Sequence, residues 1–150
     1  MMRIERLFVG AAALLAASPA GACTISATGV PFGAYDPTIP SNDDGTGTVS
    51  LACSPSVSAP VVALEAGGSG TIAARRMQNG IYLLNYNLFT DTNRLILWGN
   101  GVVGATVTLS GGTVTSGQRR FSRTIYGRIP AGQNVGAGTY NDTLVVTVIF

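Results

Sequence analysis

The chain has 150 residues, 46% of them hydrophobic and only 11% charged, with a formal net charge of +2. So small a charge argues against the electrostatic attraction that drives binding to nucleic acids or charged membrane surfaces. The chain also lacks His and Lys, and with them the commonest general base, the usual metal ligand and a Schiff-base amine. We therefore expect neither catalysis nor a cofactor.

The first 22 residues have the pattern of a removable secretory signal peptide. Arg3 and Arg6 supply a positive start. Residues 7–17 follow as an apolar stretch, too short for a membrane span, which needs about 20 residues. Ala20-Gly21-Ala22 fits a signal-peptidase site, so we expect cleavage between Ala22 and Cys23. Lipidation of Cys23 is the disfavoured alternative, because Ala20 stands where lipoproteins usually carry Leu.

The segment from Cys23 to Phe150 is long enough for one domain with a single core. Cys23 and Cys53 each fall on the apolar side of an alternating pattern, so both are expected to point into that core. In an exported chain one disulfide would use both, and closing a loop of about 30 residues would contribute on the order of 3 to 4 kcal/mol. Two free buried thiols are one alternative, and a redox pair without the CxxC spacing is another.

Residues 82–89 show the clearest strand pattern, since Tyr82, Leu84, Tyr86 and Leu88 alternate with the residues between them. Further strands are predicted at 46–53, 61–65, 95–98, 105–109, 123–128 and 143–150. Segments rich in Gly, Pro, Asn, Asp and Ser separate them, at 37–47, 54–60, 66–70, 111–117 and 131–138. Asn79-Gly80 and Asn100-Gly101 predict type I′ hairpin turns. Seven or more short strands and no convincing helix predict an all-β chain, an immunoglobulin-like antiparallel β-sandwich.

Three polar or glycine-rich motifs could indicate other functions. Residues 99–104 match G-x-G-x-x-G, but strand-like sequence follows where a dinucleotide site needs a helix. Residues 42–45 (Asn-Asp-Asp-Gly) lack calcium-loop spacing, which favours a solvated turn. Arg119, Arg120 and Arg123 form the one basic cluster. It is interpreted as a solvated edge that hinders further strand pairing, with contact to a polyanion as the alternative.

The last predicted strand is apolar on both faces. Leu144, Val146, Val148 and Phe150 alternate with a second, largely apolar set, so the strand should lie centrally in a sheet. No strand follows it to pair with its open side. Either another chain completes the sheet by β-strand addition, or an earlier strand of the same chain covers this edge.

An ordered series of short motifs resembles the spore coat protein U domain over residues 23–150. The series comprises Cys23, Phe32-Gly33-x-Tyr35-Asp36, Gly47-x-Val49-x-Leu51-x-Cys53, Arg75-Arg76-Met77, Leu84-Asn-Tyr86-Asn-Leu88, Trp98-Gly99-Asn-Gly101, Tyr126-Gly127-Arg128-Ile129-Pro130 and Gly138-Thr-Tyr140-x-Asp142-Thr143. Members of this family resemble pilin subunits of archaic, Csu-type chaperone-usher pili, and some are spore coat components. The residues alone assign no role to Arg75, Arg76 and Met77.

The resemblance implies an incomplete sandwich whose groove takes a strand first from a periplasmic chaperone and then from the next subunit, with assembly through an outer-membrane usher. On this chain the groove would be lined by Leu144, Val146, Val148 and Phe150, and the Phe150 carboxylate would anchor the chaperone. Cys23–Cys53 would be the family disulfide. Tyr140 and Asp142 would form a tyrosine corner at the start of the last strand. Trp98 and Gly99 would be structural.

These observations predict a non-enzymatic, exported structural or adhesive subunit of a surface pilus or coat. It would cross the periplasm and bind a chaperone, an usher and other subunits, with no nucleic acid, cofactor or membrane span. The alternative is a self-contained secreted module that binds polysaccharide or matrix. A chain that begins at Cys23 could accept a donor strand but not give one, which predicts a terminal or non-fibrous subunit rather than a shaft pilin.

Overall fold

The computed structural model describes residues 2–9 and 23–150, which form twelve strands and one short 3₁₀ turn at Gly67–Ser69. The strands are β1 (Met2–Val9), β2 (Cys23–Thr28), β3 (Ala34–Tyr35), β4 (Asp43–Cys53), β5 (Val61–Leu64), β6 (Arg75–Asn79), β7 (Tyr82–Phe89), β8 (Val107–Thr108), β9 (Thr113–Thr115), β10 (Gln118–Ile129), β11 (Gly138–Thr139) and β12 (Asp142–Ile149). The predicted all-β class is confirmed. Over these residues no helix has the length and apolar character needed to cross a membrane.

Two antiparallel sheets make up the sandwich. One has the order β1-β12-β5-β8, and the other β2-β4-β10-β7-β6 with β9 beside β10. Strands β3 and β11 form a separate small pair. Burial alternates along β2, β4 and β12, because successive side chains of a strand point to opposite faces. One continuous apolar core fills the space between the sheets, as expected for a β-sandwich.

Cys23 and Cys53 lie directly opposite each other where β2 pairs with β4. A disulfide joins them with an S–S distance of 2.04 Å, and the two residues are only 4% and 1% exposed. The predicted bridge between the two cysteines is confirmed. It ties β2 to β4, its neighbour in the same sheet.

Both predicted type I′ turns are wrong in detail. The β6–β7 hairpin turns on Gly80 and Ile81, since Asn79 pairs with Tyr82. Only Gly80 has a positive φ, 57°, which matches a type II′ turn with Gly first. Residues 99–104 form a longer loop in which the Asn100 side chain accepts hydrogen bonds from the amides of Val102 and Val103. That side-chain contact replaces the tight turn.

Strand lengths also differ from the predictions. The turn predicted at 37–47 ends early because β4 begins at Asp43, where Asp44 lies opposite Arg128 of β10. Two hydrogen bonds of 2.7 and 2.8 Å join their side chains, so this acidic segment is held in the sheet and is not a solvated turn. The strands predicted at 95–98 and 105–109 shrink to isolated bridges and the two residues of β8.

The arginine cluster does not occupy a free edge. Arg119 and Arg120 lie where β10 pairs with β4 on one side and with β9 on the other. The interpretation of this cluster as an edge that hinders pairing is therefore wrong for these two residues. Their strand is central because the Ser116-Gly117 turn folds β9 back along it; both turn residues have a positive φ, 49° and 74°.

Candidate functional site

The inward row of β12 is fully buried. Leu144, Val146 and Val148 are all 0% exposed, and Val146 and Val148 lie opposite Leu64 and Val62 of β5. Phe150 does not join this row. It lies one residue past the end of β12 and is 46% exposed.

One edge of β12 pairs with β5, and its opposite edge pairs with β1. Strands β12 and β1 run antiparallel, with Leu7 opposite Leu144 and Met2 opposite Val148, and a bulge interrupts the register between Arg3 and Glu5. Within the described ranges no other strand pairs with this edge. Strand β1 lies inside the predicted signal peptide, whereas the predicted cleavage site between Ala22 and Cys23 borders residues outside the described ranges. The neighbour of β12 on this side is thus supplied by a segment that export is expected to remove.

Asp142 fixes the start of β12 to the rest of the core. Its carboxylate accepts hydrogen bonds from the amide of Gly68 at 2.8 Å, the hydroxyl of Tyr86 at 2.7 Å and the amide of Thr143 at 2.8 Å. Burial raises the pKa of Tyr86 well above its ordinary value, and the nearby Asp142 carboxylate raises it further. The phenol therefore stays neutral and acts as a hydrogen-bond donor to Asp142.

Arg75 is the polar residue that sequence reasoning left without a role. Its guanidinium is 0% exposed and donates hydrogen bonds to the carbonyl oxygens of Leu64, Glu65 and Trp98 and to Oδ1 of Asn87, all at 2.9–3.0 Å. Burial lowers the pKa of Arg75 to about 10, so the group remains charged at neutral pH. It links β6 and β7 of one sheet to the end of β5 in the other.

Trp98 and Gly99 have a structural role next to this network. The indole of Trp98 is 0% exposed and donates to the carbonyl of Val62 at 3.1 Å. A Cβ atom on Gly99 would lie 1.7 Å from the carbonyl oxygen of Val103, so only glycine fits at this position. These two residues hold the loop of residues 99–104 against β5.

Tyr140 fixes the segment that leads into β12. Its hydroxyl donates to the carbonyl of Gly136, four residues upstream. Its ring packs edge to face with Tyr35 at a centroid distance of 6.3 Å. This contact fixes the chain between β11 and β12, and so helps to set where the last strand begins.

The described residues offer no arrangement suited to metal chemistry. They contain no group of three or more metal-ligating side chains. The G-x-G-x-x-G sequence forms the loop closed by Asn100, and β8 follows it without a helix. What the geometry does offer is a buried last strand, held at its start by Asp142 and Tyr140, with β5 on one edge and β1 on the other.

The described strands form an antiparallel sandwich in which β12 lies between β5 and β1. The sequence model of the Spore Coat Protein U domain matches residues 10–147. Protein U of Myxococcus xanthus is 36% identical over 151 residues, covering 89% of this chain and 80% of the relative. The chain belongs to the Spore Coat Protein U domain family.

The fold is also similar to a solved structure, the chaperone–tip adhesion subunit pre-assembly complex CsuC-CsuE from archaic chaperone-usher Csu pili of Acinetobacter baumannii. The TM-score is 0.55 at 23% sequence identity, and the match covers 85% of this chain and 39% of the solved chain. This likeness confirms the predicted immunoglobulin-like sandwich fold.

Proposed function

We propose that this protein is an exported, non-enzymatic structural subunit of a surface pilus or coat, whose β12 edge accepts a strand from another protein. The observation that supports this most directly is the position of β1. It covers the edge of β12 from within the predicted signal peptide. Processing between Ala22 and Cys23 would leave that edge without a neighbour.

The exposed edge would attract a strand for two physical reasons. The amides and carbonyls of residues 142–148 would gain a ladder of hydrogen bonds. A donor's apolar side chains would also cover the inward row of Leu144, Val146 and Val148 at about 25 cal/mol per Å² of buried apolar surface. An unpaired edge of this kind also promotes aggregation, which is why a periplasmic chaperone should occupy it before assembly.

The proposed partners are proteins that would pair with the β12 edge or assemble the chain. The solved structure of similar fold is described as a chaperone–tip adhesion subunit complex, which supports a chaperone, an outer-membrane usher and other subunits as partners of this chain. The family's description as a Spore Coat Protein U domain supports a coat as the alternative assembly. An adhesive role at the cell surface belongs to the same proposal.

A chain processed at Cys23 would accept a strand without giving one. Cys23 is the first residue of β2 and is fixed by the disulfide to Cys53, so no residues would remain ahead of the core to serve as a donor. This favours a terminal subunit or a non-fibrous coat protein. N-terminal sequencing of the exported protein tests the point, and a start well ahead of Cys23 would contradict it.

Periplasmic expression of residues 1–150 with and without a pilus chaperone tests the whole proposal. We expect the processed chain to aggregate or unfold readily on its own, and to be recovered as a 1:1 complex when the chaperone is present. A processed chain that is a cooperatively unfolding monomer without a partner would overturn the proposal. That outcome would favour the self-contained secreted module.

A further inference from the structure

A face rich in hydroxyl groups lies on β2, β4 and β10, away from the β12 edge. The register of these strands brings Ser26, Ser50 and Ser122 side by side, and the Oγ atoms of Ser50 and Ser122 are 3.4 Å apart. Thr28, Thr48 and Thr124 form the adjacent row. Five of the six residues that flank the serines are buried, namely Ile25, Ala27, Val49, Leu51 and Phe121, so the hydroxyl rows belong to the solvent side of the sheet. The sixth, Arg123, is exposed.

A depression of about 770 Å³ lies against this face. It is lined by the three serines, by the segment 108–113 and by Arg120 and Arg123. A second depression of about 510 Å³ shares Ser122 and Arg123 with the first and extends to residues 90–93. Because they share two residues, the two depressions are adjacent and could hold several units of an extended polymer.

The charges on this face are positive and unpaired. Arg120 donates to the side chain of Gln118 and Arg123 to the carbonyl of Thr90. Among the described residues neither forms an ion pair, whereas Arg94 and Arg128 both pair with Asp44. No acidic residue lines the first depression.

Asp91 is the one carboxylate in the second depression. It accepts hydrogen bonds from the backbone amides of Leu95 and Ile96, so it is already engaged within its own loop. Arg123 is therefore left as the charged group of this depression that can meet a ligand. The face as a whole combines two available guanidinium groups with at least six hydroxyl-bearing side chains.

We propose that this face binds an acidic polysaccharide. Serine and threonine hydroxyls both donate and accept hydrogen bonds, as sugar hydroxyls do, and the planar guanidinium group pairs well with carboxylate or sulfate. Nucleic acid fits less well, because bases stack on free aromatic rings. The one aromatic ring beside the second depression, Tyr126, is already covered by Arg94 at 5.8 Å. The site lies on the sheet that does not contain β12.

Binding of the full chain to immobilised polygalacturonate tests the proposal, with neutral dextran and duplex DNA as comparison ligands. We expect the protein to be retained by polygalacturonate and not by dextran. The double variant Arg120→Gln, Arg123→Gln should weaken binding at least about tenfold, since it removes both guanidinium groups that would form charge-assisted hydrogen bonds with the ligand. Ser50→Ala with Ser122→Ala should weaken it by a smaller factor.

Arg76→Gln is the control, because it removes one positive charge from an exposed position on β6, outside both depressions. It should change the affinity less than about twofold if the site is specific. Circular dichroism should show that all variants remain folded. The proposal fails if polygalacturonate binds no better than dextran, if DNA binds more tightly, or if Arg76→Gln weakens binding as much as the double variant.

Discussion

Arg75 connects the two sheets of the sandwich through backbone carbonyls. It lies on β6 in one sheet, and its guanidinium donates to the carbonyls of Leu64 and Glu65 at the end of β5 in the other. A buried charge is tolerated only when it is fully hydrogen-bonded, and here each nitrogen has a partner. The cost of removing this side chain is therefore the cost of leaving several buried oxygens without donors.

We predict that Arg75→Met destabilises the protein by about 3 to 5 kcal/mol, because the carbonyls of Leu64, Glu65 and Trp98 lose their donors. Arg76→Met, at the exposed neighbouring position, should change the free energy of unfolding by less than about 0.5 kcal/mol. Urea unfolding followed by tryptophan fluorescence measures both. Equal effects at the two positions would show that the buried network is not what stabilises this region.

Asp44 gives a pH dependence whose sign follows from its partner. The hydrogen bond from Arg128 holds the pKa of Asp44 below its ordinary value of 3.8. Its contribution to stability is therefore present above the unfolded-state pKa and is lost as the pH falls through the lower folded-state value. Asp44→Asn should make the fall in Tm below about pH 4 less steep.

Asp43→Asn is the control for this measurement. Burial raises the pKa of Asp43, so the sign is opposite and its removal should make the acid-side fall in Tm steeper. Thermal unfolding of the three proteins between about pH 5 and pH 2.5 separates the two cases. If Asp44→Asn leaves the slope of Tm against pH the same as in the wild type, the assigned role of the Asp44–Arg128 pair is contradicted.

The role of Arg75 could not be predicted from the sequence, because most of its partners are backbone atoms 10 to 23 residues away. A partial signal was present. Arg75 and Met77 share one face of β6, and Met77 is 1% exposed, so the alternation would have placed the arginine inward. The disulfide was predictable, since both cysteines stand on the apolar side of their strands.

Strands were predictable where the alternation extends over many residues. Strand β7 has the predicted bounds of 82–89, and β12 differs from its prediction by one residue at each end. The predicted strands at 95–98 and 105–109 were too long, since only isolated bridges at Leu97 and Trp98 and the two residues of β8 form. Their geometry depends on the Asn100 side chain and on glycine contacts inside the loop, which periodicity does not reveal.

The two faces of β12 provide a matched pair of substitutions. Val146 is fully buried, and Val145 beside it is half-buried on the opposite face. Val146→Thr adds a hydroxyl to the core and should cost about 1 to 3 kcal/mol, whereas Val145→Thr should cost less than about 0.5 kcal/mol. Chemical unfolding measures both. If Val145→Thr cost as much as Val146→Thr, the inward row would not be the face that carries the core contacts.

At the scale of the whole molecule, the sequence predicted a sandwich with an apolar last strand but not the order of strands in either sheet. Alternation shows which side of a strand is buried, but it does not show which strand lies next to it. The sequence analysis left open whether the chain or a partner covers the edge of β12. The structure places β1 there, which is the same chain but a segment that export is expected to remove.

Hydrogen–deuterium exchange of the β12 amides tests this account most directly. The proteins to compare are the full chain, residues 23–150 alone, and residues 23–150 with an added peptide of residues 1–12, which contains β1. We predict slow exchange in the full chain at the β12 amides that hydrogen-bond to β1, fast exchange at these amides when residues 1–22 are absent, and protection restored by the peptide or by a chaperone. The amides that bond to β5 should stay protected throughout. A chain of residues 23–150 that keeps the amides on the β1 side equally protected without any partner would contradict the open-edge account.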